Sequence, residues 1–577
     1  QRSISFAGAG REGKPGHRPL TNMTVQIARF IFGSGLAGLF VLFAQVASAA
    51  PAAGEAVSKT LIVTSDVLSD SALEKTGVTI GAIRIDNRDV FDTSVEGESG
   101  ALYRFANVLH IQTRADVIRQ QLLLHEGDPF EARTIEESER MLRSNSYLST
   151  ADIHPVRLDG NTVDIDVITE DTWSLAPSLK FSRKGGKNTG GAELSDSNIF
   201  GTGAEIKLGY RSGFERDELF FGYHDPQLGE SRTELLLGYA DTSDGEVHEL
   251  AVRQPFYSLD AQRAGGISIR GFDQVDSLYS FGEVDREVSH TAEYVEAFYG
   301  WSDGLRNGAT SRWTTGVAYD AHSFPGPDGM PARDGRRDIY PFLGYEWIED
   351  AYETTRNADN LQIVEDRHVG MHFAGRIGYA SDAWGAHDNA WIGSFAIGRG
   401  FRVLGDDMLL ASLEGSGRFA ADQPRQSLVE GRLRYYHRQS PMRLFYGEVS
   451  LVSGQNLDSD QQLTLGGENG LRGYPVRYLN GELMTLATLE QRFYTNWYPF
   501  HLFRVGAAVF FDAAKVLRSG SDLPGFTGWH RDVGVGLRIG SPRSSTGRML
   551  HLDYACPLDA QPDRQQCQVI IETRHSF

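Results

Sequence analysis

The sequence predicts an all-β fold, a transmembrane antiparallel β-barrel over residues 173–577, preceded by one small α+β domain. Two observations predict it. From Trp173 onward apolar residues recur with a period of two, which is typical of strands with two different faces. The apolar sets also end in aromatic residues, and 64 glycines with only 2 cysteines among 577 residues suit a long antiparallel β protein.

Each predicted strand alternates an apolar, aromatic-ended set with polar residues or glycine. Examples are Ala204, Ile206, Leu208 and Tyr210, then Val295, Ala297, Tyr299 and Trp301, and later Phe373, Gly375, Ile377 and Tyr379. Tilted strands of about nine to eleven residues cross the hydrocarbon layer, with Tyr and Trp at its edges. Counting the segments gives about twenty strands.

A soluble sandwich or propeller is the alternative, because its strands also alternate. In this chain the second face carries charged residues and glycine rather than a second apolar core. A soluble fold would have to hide the apolar face, whereas a barrel exposes it to lipid. Closure also removes the unpaired strand edges that lipid does not tolerate. The pattern therefore favours the barrel.

The N-terminal part resembles an export signal. Met23 and Arg29 precede an apolar run over 30–43, and Ala47-Ser48-Ala49 follows as a cleavage site. The run is shorter than the roughly 20 residues that a transmembrane helix needs, and a buried core helix is the alternative. We interpret 1–22 as a leader outside the fold, either disordered or a start placed too early. We interpret 23–49 as a signal peptide and 50–77 as a linker.

Residues 78–172 read as a separate domain with the order β-α-α-β-β. A strand contains Ile80, Ile83 and Ile85, and two helical segments are separated by the turn 125–129, where Gly and Pro interrupt the helix. Two strands around 151–158 and 163–170 complete the domain.

Several function classes find no support in the sequence. The net charge of −20 argues against a nucleic-acid partner, because phosphates are neutralised by Lys and Arg. The chain has no H-E-x-x-H and no phosphate loop, and its 16 histidines lack ligand spacing. We therefore expect no enzyme activity, no cofactor and no metal. In an exported protein, Cys556 and Cys567 suggest a disulfide across the last predicted hairpin rather than a metal site.

Several motifs carry a family resemblance. They are Ile118–Leu122, Gly127–Phe130, Glu137–Leu142 and Tyr147-Leu148 in the N-terminal domain, and in the barrel Asn198–Gly203, Asp225-Pro226, Gln254–Tyr257, Leu471–Tyr474 and Phe510–Ala514. Together they resemble the Omp85 superfamily, the BamA/TamA-like assembly factors and two-partner secretion transporters. The resemblance implies that 78–172 is a single POTRA domain and that 173–577 is a barrel of sixteen strands, fewer than the pattern count. It also implies that the final strand, ending at Phe577, is a signal for barrel insertion.

The most specific motif is Arg472-Gly473-Tyr474, which resembles the tip of the family's long inward-folded loop. Period-two alternation places Asp512 and Glu490 on the luminal face of their strands. A guanidinium pairs bidentately with carboxylates, so Arg472 entering the lumen would fasten the loop to the wall. The alternative is that Arg472 is a solvated loop charge and Asp512 an ordinary luminal residue.

The resemblance implies a protein of the Gram-negative outer membrane, with the POTRA domain in the periplasm, that helps polypeptides insert into or cross that membrane. The POTRA domain would capture clients by strand addition. The expected partners are outer-membrane or secreted polypeptides, periplasmic accessory proteins and outer-membrane lipid. Two alternatives stay open: a passive pore or structural barrel whose POTRA domain docks a periplasmic partner, and, less favoured, an outer-membrane hydrolase.

Overall fold

The computed structural model describes residues 69–325, 335–420, 423–458, 461–517, 528–559 and 566–574. The predicted leader, the signal peptide, most of the linker and Phe577 lie outside the described residues. None of the helices in the described part of the chain combines the length and the apolar character needed to span a bilayer.

The N-terminal module contains four helices and three strands. They are α1 (Asp70–Thr76), β1 (Thr79–Arg88), α2 (Ala101–Leu109), α3 (Ala115–Gln121), α4 (Ala132–Arg143), β2 (Leu148–Asp159) and β3 (Thr162–Asp171). The strand order is β1-β3-β2, with β1 parallel and β2 antiparallel to β3. Val163, Ile165 and Val167 alternate along β3 and are fully buried against Ile118 of α3 and Leu142 of α4. The alternation thus places one face of the sheet against the helices.

The predicted order β-α-α-β-β omits two helices of this module. Helix α1 lies within the predicted linker, yet its Leu73 is fully buried in the core of the module. Gly77, at a φ of 67°, ends α1 in the left-handed conformation that glycine adopts without strain. Helix α2 lies between β1 and α3 and buries none of its residues. Its apolar side chains point outward, so the sequence pattern of a core helix does not reveal it.

The remaining strands form a closed barrel and two short inserted hairpins. In chain order they are β4 (Leu175–Lys184), β5 (Lys187–Asp196), β6 (Glu205–Ser212), β7 (Asp217–Asp225), β8 (Glu234–Thr242), β9 (Gly245–Gln254), β10 (Arg263–Ser280), β11 (Glu283–Arg306), β12 (Ala309–Ser323), β13 (Arg336–Glu349), β14 (Tyr352–Arg356), β15 (Val364–His368), β16 (His372–Ala380), β17 (Ala390–Arg402), β18 (Met408–Ala420), β19 (Gln423–Ser440), β20 (Arg443–Gln455), β21 (Leu463–Leu465), β22 (Leu479–Gly481), β23 (Leu483–Tyr494), β24 (Arg504–Leu517), β25 (His530–Gly540), β26 (Met549–Pro557) and β27 (Gln568–Arg574).

Within the described residues the barrel has twenty antiparallel strands, and β14–β15 and β21–β22 form separate two-stranded sheets. The pattern count of about twenty is confirmed. The sixteen strands implied by the resemblance are wrong for this chain. A family motif identifies individual segments. The period-two pattern instead detects every strand that has one apolar, lipid-facing side and one luminal side.

The two faces of the wall differ as the alternation predicts. Along β25, Val533, Val535 and Leu537 are exposed on the outside, while Asp532 and Arg538 are fully buried inside. A surface of exposed Val, Leu, Ile, Tyr and Trp side chains is suited to lipid, and the buried charges line the lumen.

The barrel closes through a very short pairing between its first and last strands. Every strand pairs along much of its length with its neighbours, except at the seam between the last strand, β27, and the first, β4. In the described part of β27, Ile571 opposite Arg183 is the one residue pair that joins these strands. Along its other edge, β27 pairs continuously with β26 from Met549 to Ala555.

The N-terminal module and the barrel belong to one unit of the chain. The rim of the barrel on which the module packs, here called the module side, is formed by the connections 197–204, 226–233, 255–262, 350–371, 495–503 and 541–548. The opposite rim, called the far side, includes the β26–β27 connection and the long connection between β20 and β23.

Candidate functional site

The long connection 456–482, here called the luminal loop, folds back from the far side into the barrel. Its Leu471, Tyr474 and Leu479 are buried and pack with Met484 and Val516 of the wall. The loop therefore has its own apolar contact with β23 and β24, in addition to the charged contacts at its tip.

Arg472 lies at the centre of the tip, with only 4% of its surface exposed. Its Nε and Nη2 donate to Asp512 at 2.7 and 2.9 Å, a bidentate pair, and its Nη1 donates to Glu490 Oε1 at 2.8 Å. The guanidinium carbon also lies 3.4 Å from the centre of the Phe510 ring. Thus the structure brings together the three charged residues that the sequence singled out. Their buried, hydrogen-bonded charges satisfy each other in a confined site.

Gly473 and Tyr474 continue the contact toward the last strands. The Gly473 N–H donates to Asp532 Oδ2 at 3.0 Å, and the Tyr474 hydroxyl donates to the Arg531 carbonyl at 3.2 Å. A Cβ on Gly473 would lie 2.8 Å from Cβ of Asp532 and 2.9 Å from the nitrogen of Pro557. Position 473 consequently has no room for a side chain.

The predicted disulfide lies beside this contact. Cys556 and Cys567 are joined, on the far side, between β26 and β27. The carbonyl carbon of Cys556 is 3.1 Å from the position that a Cβ on Gly473 would occupy. The disulfide thus braces the strand end against which the loop tip packs.

The sequence analysis missed several members of this luminal network. Arg492 donates through Nε to Glu490 Oε2 at 3.0 Å, and Thr488 donates to Asp512 Oδ1 at 2.8 Å. Arg538 pairs with Asp553, whose Oδ2 is 4.0 Å from Arg472 Nη1. The same alternation that points Glu490 inward also applies to Arg492, so the signal for that residue was present.

A second insertion fills the lumen from the module side. The connection 350–371, here called the module-side hairpin, contains β14 and β15, and its Ala358 and Leu361 are buried among wall residues. Arg492 Nη1 donates to the Ala358 carbonyl at 2.6 Å and lies 3.3 Å from Asp359 Oδ1. Arg492 therefore bridges the hairpin and the Glu490 that holds the luminal loop.

The module-side hairpin also borders a polar cavity of about 770 Å³. Module residues such as Thr150, wall residues such as Glu193 and Lys207, and Asn360 of the hairpin line it. Sequence reasoning did not anticipate the hairpin, because most residues of its two strands are polar and match neither a lipid-facing strand nor an ordinary turn.

One face of α4 attaches the module to the barrel rim. Arg133 Nη2 donates to Asp260 at 2.6 Å, and Arg140 lies 3.5 Å from Asp350. Arg143 makes a bidentate pair with Asp366 of the module-side hairpin, at 2.8 and 2.9 Å. These arginines share a helix face, because Arg140 and Arg143 are three positions apart and Arg133 lies two turns before Arg140.

Glu137 lies on the same face and accepts a hydrogen bond from the Leu259 N–H at 2.7 Å. Burial raises the pKa of Glu137 above its ordinary value, against the opposing effect of this bond and of Arg133.

The turn 198–203, one of the recognised motifs, is a further attachment point. The Asn198 side chain donates to Thr113 Oγ1 at 2.7 Å and accepts from the Gly203 N–H at 2.7 Å. Gly201 has a φ of 73°, and a Cβ added there would lie 2.4 Å from the Gln112 carbonyl oxygen. Glycine is required here both by the backbone conformation and by the close approach of the module.

Within the described ranges, no group of three or more His, Cys, Asp and Glu side chains is arranged to hold a metal ion. The contacts observed in the luminal site are ion pairs and hydrogen bonds. They fasten segments of one chain together.

Residues 428–574 match the family model of the Omp85 superfamily domain. The matched range includes the luminal loop together with Glu490, Asp512 and Asp532 of the buried network.

Comparison with curated proteins gives no match. Among solved structures, the chain is similar to BamA from Haemophilus ducreyi lacking POTRA domains 1–3, at 13% identity and a TM-score of 0.40 over 86% of this chain and 84% of that one. It is also similar to CdiB from Acinetobacter baumannii, at 12% identity and a TM-score of 0.40 over 87% and 74% of the two chains.

Proposed function

We propose that this chain is an Omp85 superfamily protein that inserts polypeptide clients into, or passes them across, the Gram-negative outer membrane, with its N-terminal module in the periplasm acting as a single POTRA domain. The observation that carries the proposal is the seam, where Ile571 and Arg183 form the one residue pair between the described part of β27 and β4.

The seam supports insertion for an energetic reason. A backbone N–H or C=O without a partner in hydrocarbon costs several kcal/mol, so barrels normally pair every strand edge. The edges of β4 and β27 offer unpaired groups to a client strand, which would gain hydrogen bonds by adding there. No nucleotide is needed, because the client's own folding into lipid drives the step.

The occupied lumen weighs against a passive pore. The luminal loop enters from the far side and the module-side hairpin from the other, and Arg492 contacts both the hairpin and Glu490. A permanently open channel would not be crossed by two packed segments. Conduction would first require one of them to leave.

Capture of clients by the module is the finer part of the proposal, and it has a specific place. On the outer edge of β2, the Ile153 N–H donates to Glu139 at 2.8 Å, the Ala151 carbonyl accepts from Arg143 at 3.1 Å, and Pro155 has no N–H. A client strand adding there would displace Glu139 and Arg143 from the edge. Because Arg143 also pairs with Asp366, client binding would loosen the module-side hairpin.

The edge of β1 is less available than that of β2. Ile80 exchanges backbone hydrogen bonds at 2.8 Å with Gly127 and Asp128, and Arg119 donates to the Ile83 carbonyl at 2.9 Å. Strand addition is therefore proposed at β2 only. A photo-crosslinker at Asp152 on β2 should capture clients, and one at Asn161 at the hairpin tip should not. Equal capture from both positions would exclude recognition through the β2 edge.

The seam is tested by locking it. Arg183→Cys with Ile571→Cys places two thiols across the seam, and Leu552→Cys with Ile571→Cys places them across the ordinary β26–β27 pair. Each variant replaces the native protein in cells, and the outer-membrane and secreted proteins are quantified. We expect a loss of client proteins with the oxidised seam pair, recovery on reduction, and no loss with the control pair.

Two outcomes would contradict the proposal. If depletion of the protein removes nothing from either fraction, the assembly role is wrong. If depletion has an effect but the locked seam supports full levels, clients pass by another route and the seam is only structural.

A further inference from the structure

Helix α2 turns its apolar side away from the protein. Leu102, Phe105, Val108 and Leu109, here called the apolar stripe, are 51%, 57%, 81% and 58% exposed. Their spacing of three, three and one residues places them on one side of the helix. A water-facing helix would carry charged residues on this side, and the one charged residue of α2 is Arg104.

The opposite side of α2 is firmly attached to the module. Asn107 donates to the Phe91 carbonyl at 2.8 Å and accepts from the Phe91 N–H at 3.2 Å. The Tyr103 and Phe91 rings lie 5.1 Å apart. His110, just after the helix, is 2.8 Å from Asp171, and both side chains are buried. These contacts fix the orientation of α2, so exposure of the apolar stripe is built into the fold.

Helix α2 is continuous with the lipid-facing surface of the barrel. The Tyr103 hydroxyl donates to the Phe500 carbonyl at 2.9 Å in the turn between β23 and β24. In that turn Trp497, Phe500 and Phe503 are 65%, 56% and 41% exposed. They extend the exposed apolar face of β24, which includes Val509, toward the module.

A second rim connection holds the same segment of the module. Arg543, in the turn between β25 and β26, donates to Glu98 at 3.1 Å and to the Val90 carbonyl. Residues 89–110 are thereby attached to two successive turns at the lipid-facing rim. This attachment keeps α2 at the level where the apolar wall of the barrel ends.

We propose that α2 is an interfacial helix whose apolar stripe enters the periplasmic leaflet of the outer membrane. A helix with one continuous apolar side and a polar opposite side lies in the plane of the interface, with the apolar side about 5–10 Å into the headgroup and acyl boundary. An exposed apolar patch of this kind marks an interaction surface. The occupant is lipid, because the patch continues the apolar belt of the barrel.

Lipid binding by α2 would affect the position of the module rather than that of the barrel. A lipid-bound α2 would give the module a third kind of support, beside the α4 arginines and the rim turns. It would hold the β2 edge at a fixed height above the bilayer. This inference rests on the proposed membrane location of the barrel.

The experiment places one nitroxide label at a time on the full-length protein in phospholipid vesicles. Val108→Cys reports the apolar stripe, and Val535→Cys reports the outer wall of the barrel, where Val535 is 54% exposed. Glu136→Cys, on an exposed position of α4 in the same module, is the matched control. Collisions with oxygen, which concentrates in lipid, and with a water-soluble nickel chelate are measured at each position.

We expect the label at 108 to behave like the label at 535, with high oxygen and low nickel accessibility, and the label at 136 to show the reverse. A nickel-accessible 108 beside a lipid-exposed 535 would overturn the inference and leave the proposed function intact. A label at 108 shielded from both reagents would also overturn it, because a protein surface, such as a second copy, would then cover the stripe. A nickel-accessible 535 would remove the membrane location and both proposals together.

Discussion

The lumen of this barrel is entered by two segments from opposite rims, and they are held in different ways. The luminal loop is fastened by a buried ion pair, since the side chains of Arg472 and Asp512 are 5% and 0% exposed. The module-side hairpin is fastened by contacts that are more accessible to solvent. Its Asp359 is 26% exposed where it meets Arg492, and its Asp366, which pairs with Arg143 of the module, is 16% exposed.

This difference in the exposure of their contacts indicates that the luminal loop and the module-side hairpin have different roles. Breaking a buried pair leaves an uncompensated charge in a dry site, so the luminal loop is expected to stay in place. The hairpin depends on a residue of the module, Arg143, that also contacts the β2 edge. Its position can therefore respond to what the module binds. We interpret the luminal loop as a fixed support of the wall, here called the brace. We interpret the module-side hairpin as a movable segment that blocks the lumen, here called the closure.

The largest effect is expected from Arg472→Ala. The substitution leaves Glu490 and Asp512 buried with less compensation, which costs about 3–5 kcal/mol for a buried pair that loses one partner. The thermal midpoint of the protein in detergent should fall and the client proteins should be depleted in cells. Arg402→Ala is the control, because Arg402 is 53% exposed and surface pairs contribute little. Equal stability of the two variants would show that the brace does not hold the wall.

Gly473→Ala is expected to have the next largest effect. The new methyl group would lie 2.8 Å from Cβ of Asp532, so the loop tip or β25 must shift, at about 1–3 kcal/mol as for other overpacked sites. Gly528→Ala is the matched control, because no atom of the described residues lies within 4 Å of a Cβ at that position. Chemical denaturation of the two variants, compared with the unsubstituted protein, measures the difference. A loss no greater than that of the control would mean that the tip is loosely packed.

The sequence is a better guide to the brace than to the closure. Period-two alternation suffices to turn Glu490 and Asp512 inward, and the Arg472-Gly473-Tyr474 motif identifies the tip. Asp532 was within reach of the same reasoning, since Val533, Val535 and Leu537 mark the outer face of its strand. What the pattern could not supply is the set of partners, because these come from strands far apart in the chain.

The closure left no comparable signal. Most residues of Tyr352–Arg356 and Val364–His368 are polar, so neither strand shows the apolar set that marks the lipid-facing side of a wall strand. Helix α2 was missed for the opposite reason. Its apolar residues face outward, so their pattern does not match that of a core helix. Their meaning becomes clear only when the neighbouring rim and its exposed Phe500 are known.

The Arg143–Asp366 pair offers a direct test of the closure. Arg143→Met and Asp366→Asn, alone and combined, form a double-mutant cycle, and a coupling of about 0.5–3 kcal/mol is expected for residues in contact. Hydrogen exchange in 352–368 should accelerate in each variant, and ion conductance through planar bilayers should rise as the hairpin leaves the lumen. Exchange in 470–475 of the luminal loop should remain unchanged. Accelerated exchange in both segments would contradict the distinction between brace and closure.

The smallest effect is expected from pH, through Glu137. Its raised pKa means that the attached module binds the proton more readily than the unfolded chain does. The stabilisation is fully present below the ordinary pKa of the carboxyl group and is lost as pH rises through the raised value. Attachment of α4 to the rim should therefore strengthen as pH falls from neutrality. Hydrogen exchange of α4 and 256–261, corrected for the intrinsic pH dependence, measures this.

Glu137→Gln keeps an acceptor for the Leu259 N–H and cannot ionise, so the pH dependence of protection at the rim should flatten in that variant. The luminal loop supplies the internal comparison, because Arg472 is paired with carboxylates that have no contact with Glu137. If protection of α4 is equally pH-dependent in the unsubstituted protein and in the Glu137→Gln variant, other carboxylates at the rim control attachment. If protection of 470–475 from hydrogen exchange depends on pH in the same way as protection of α4, the luminal loop and the module respond together. The proposed distinction between them would then be wrong.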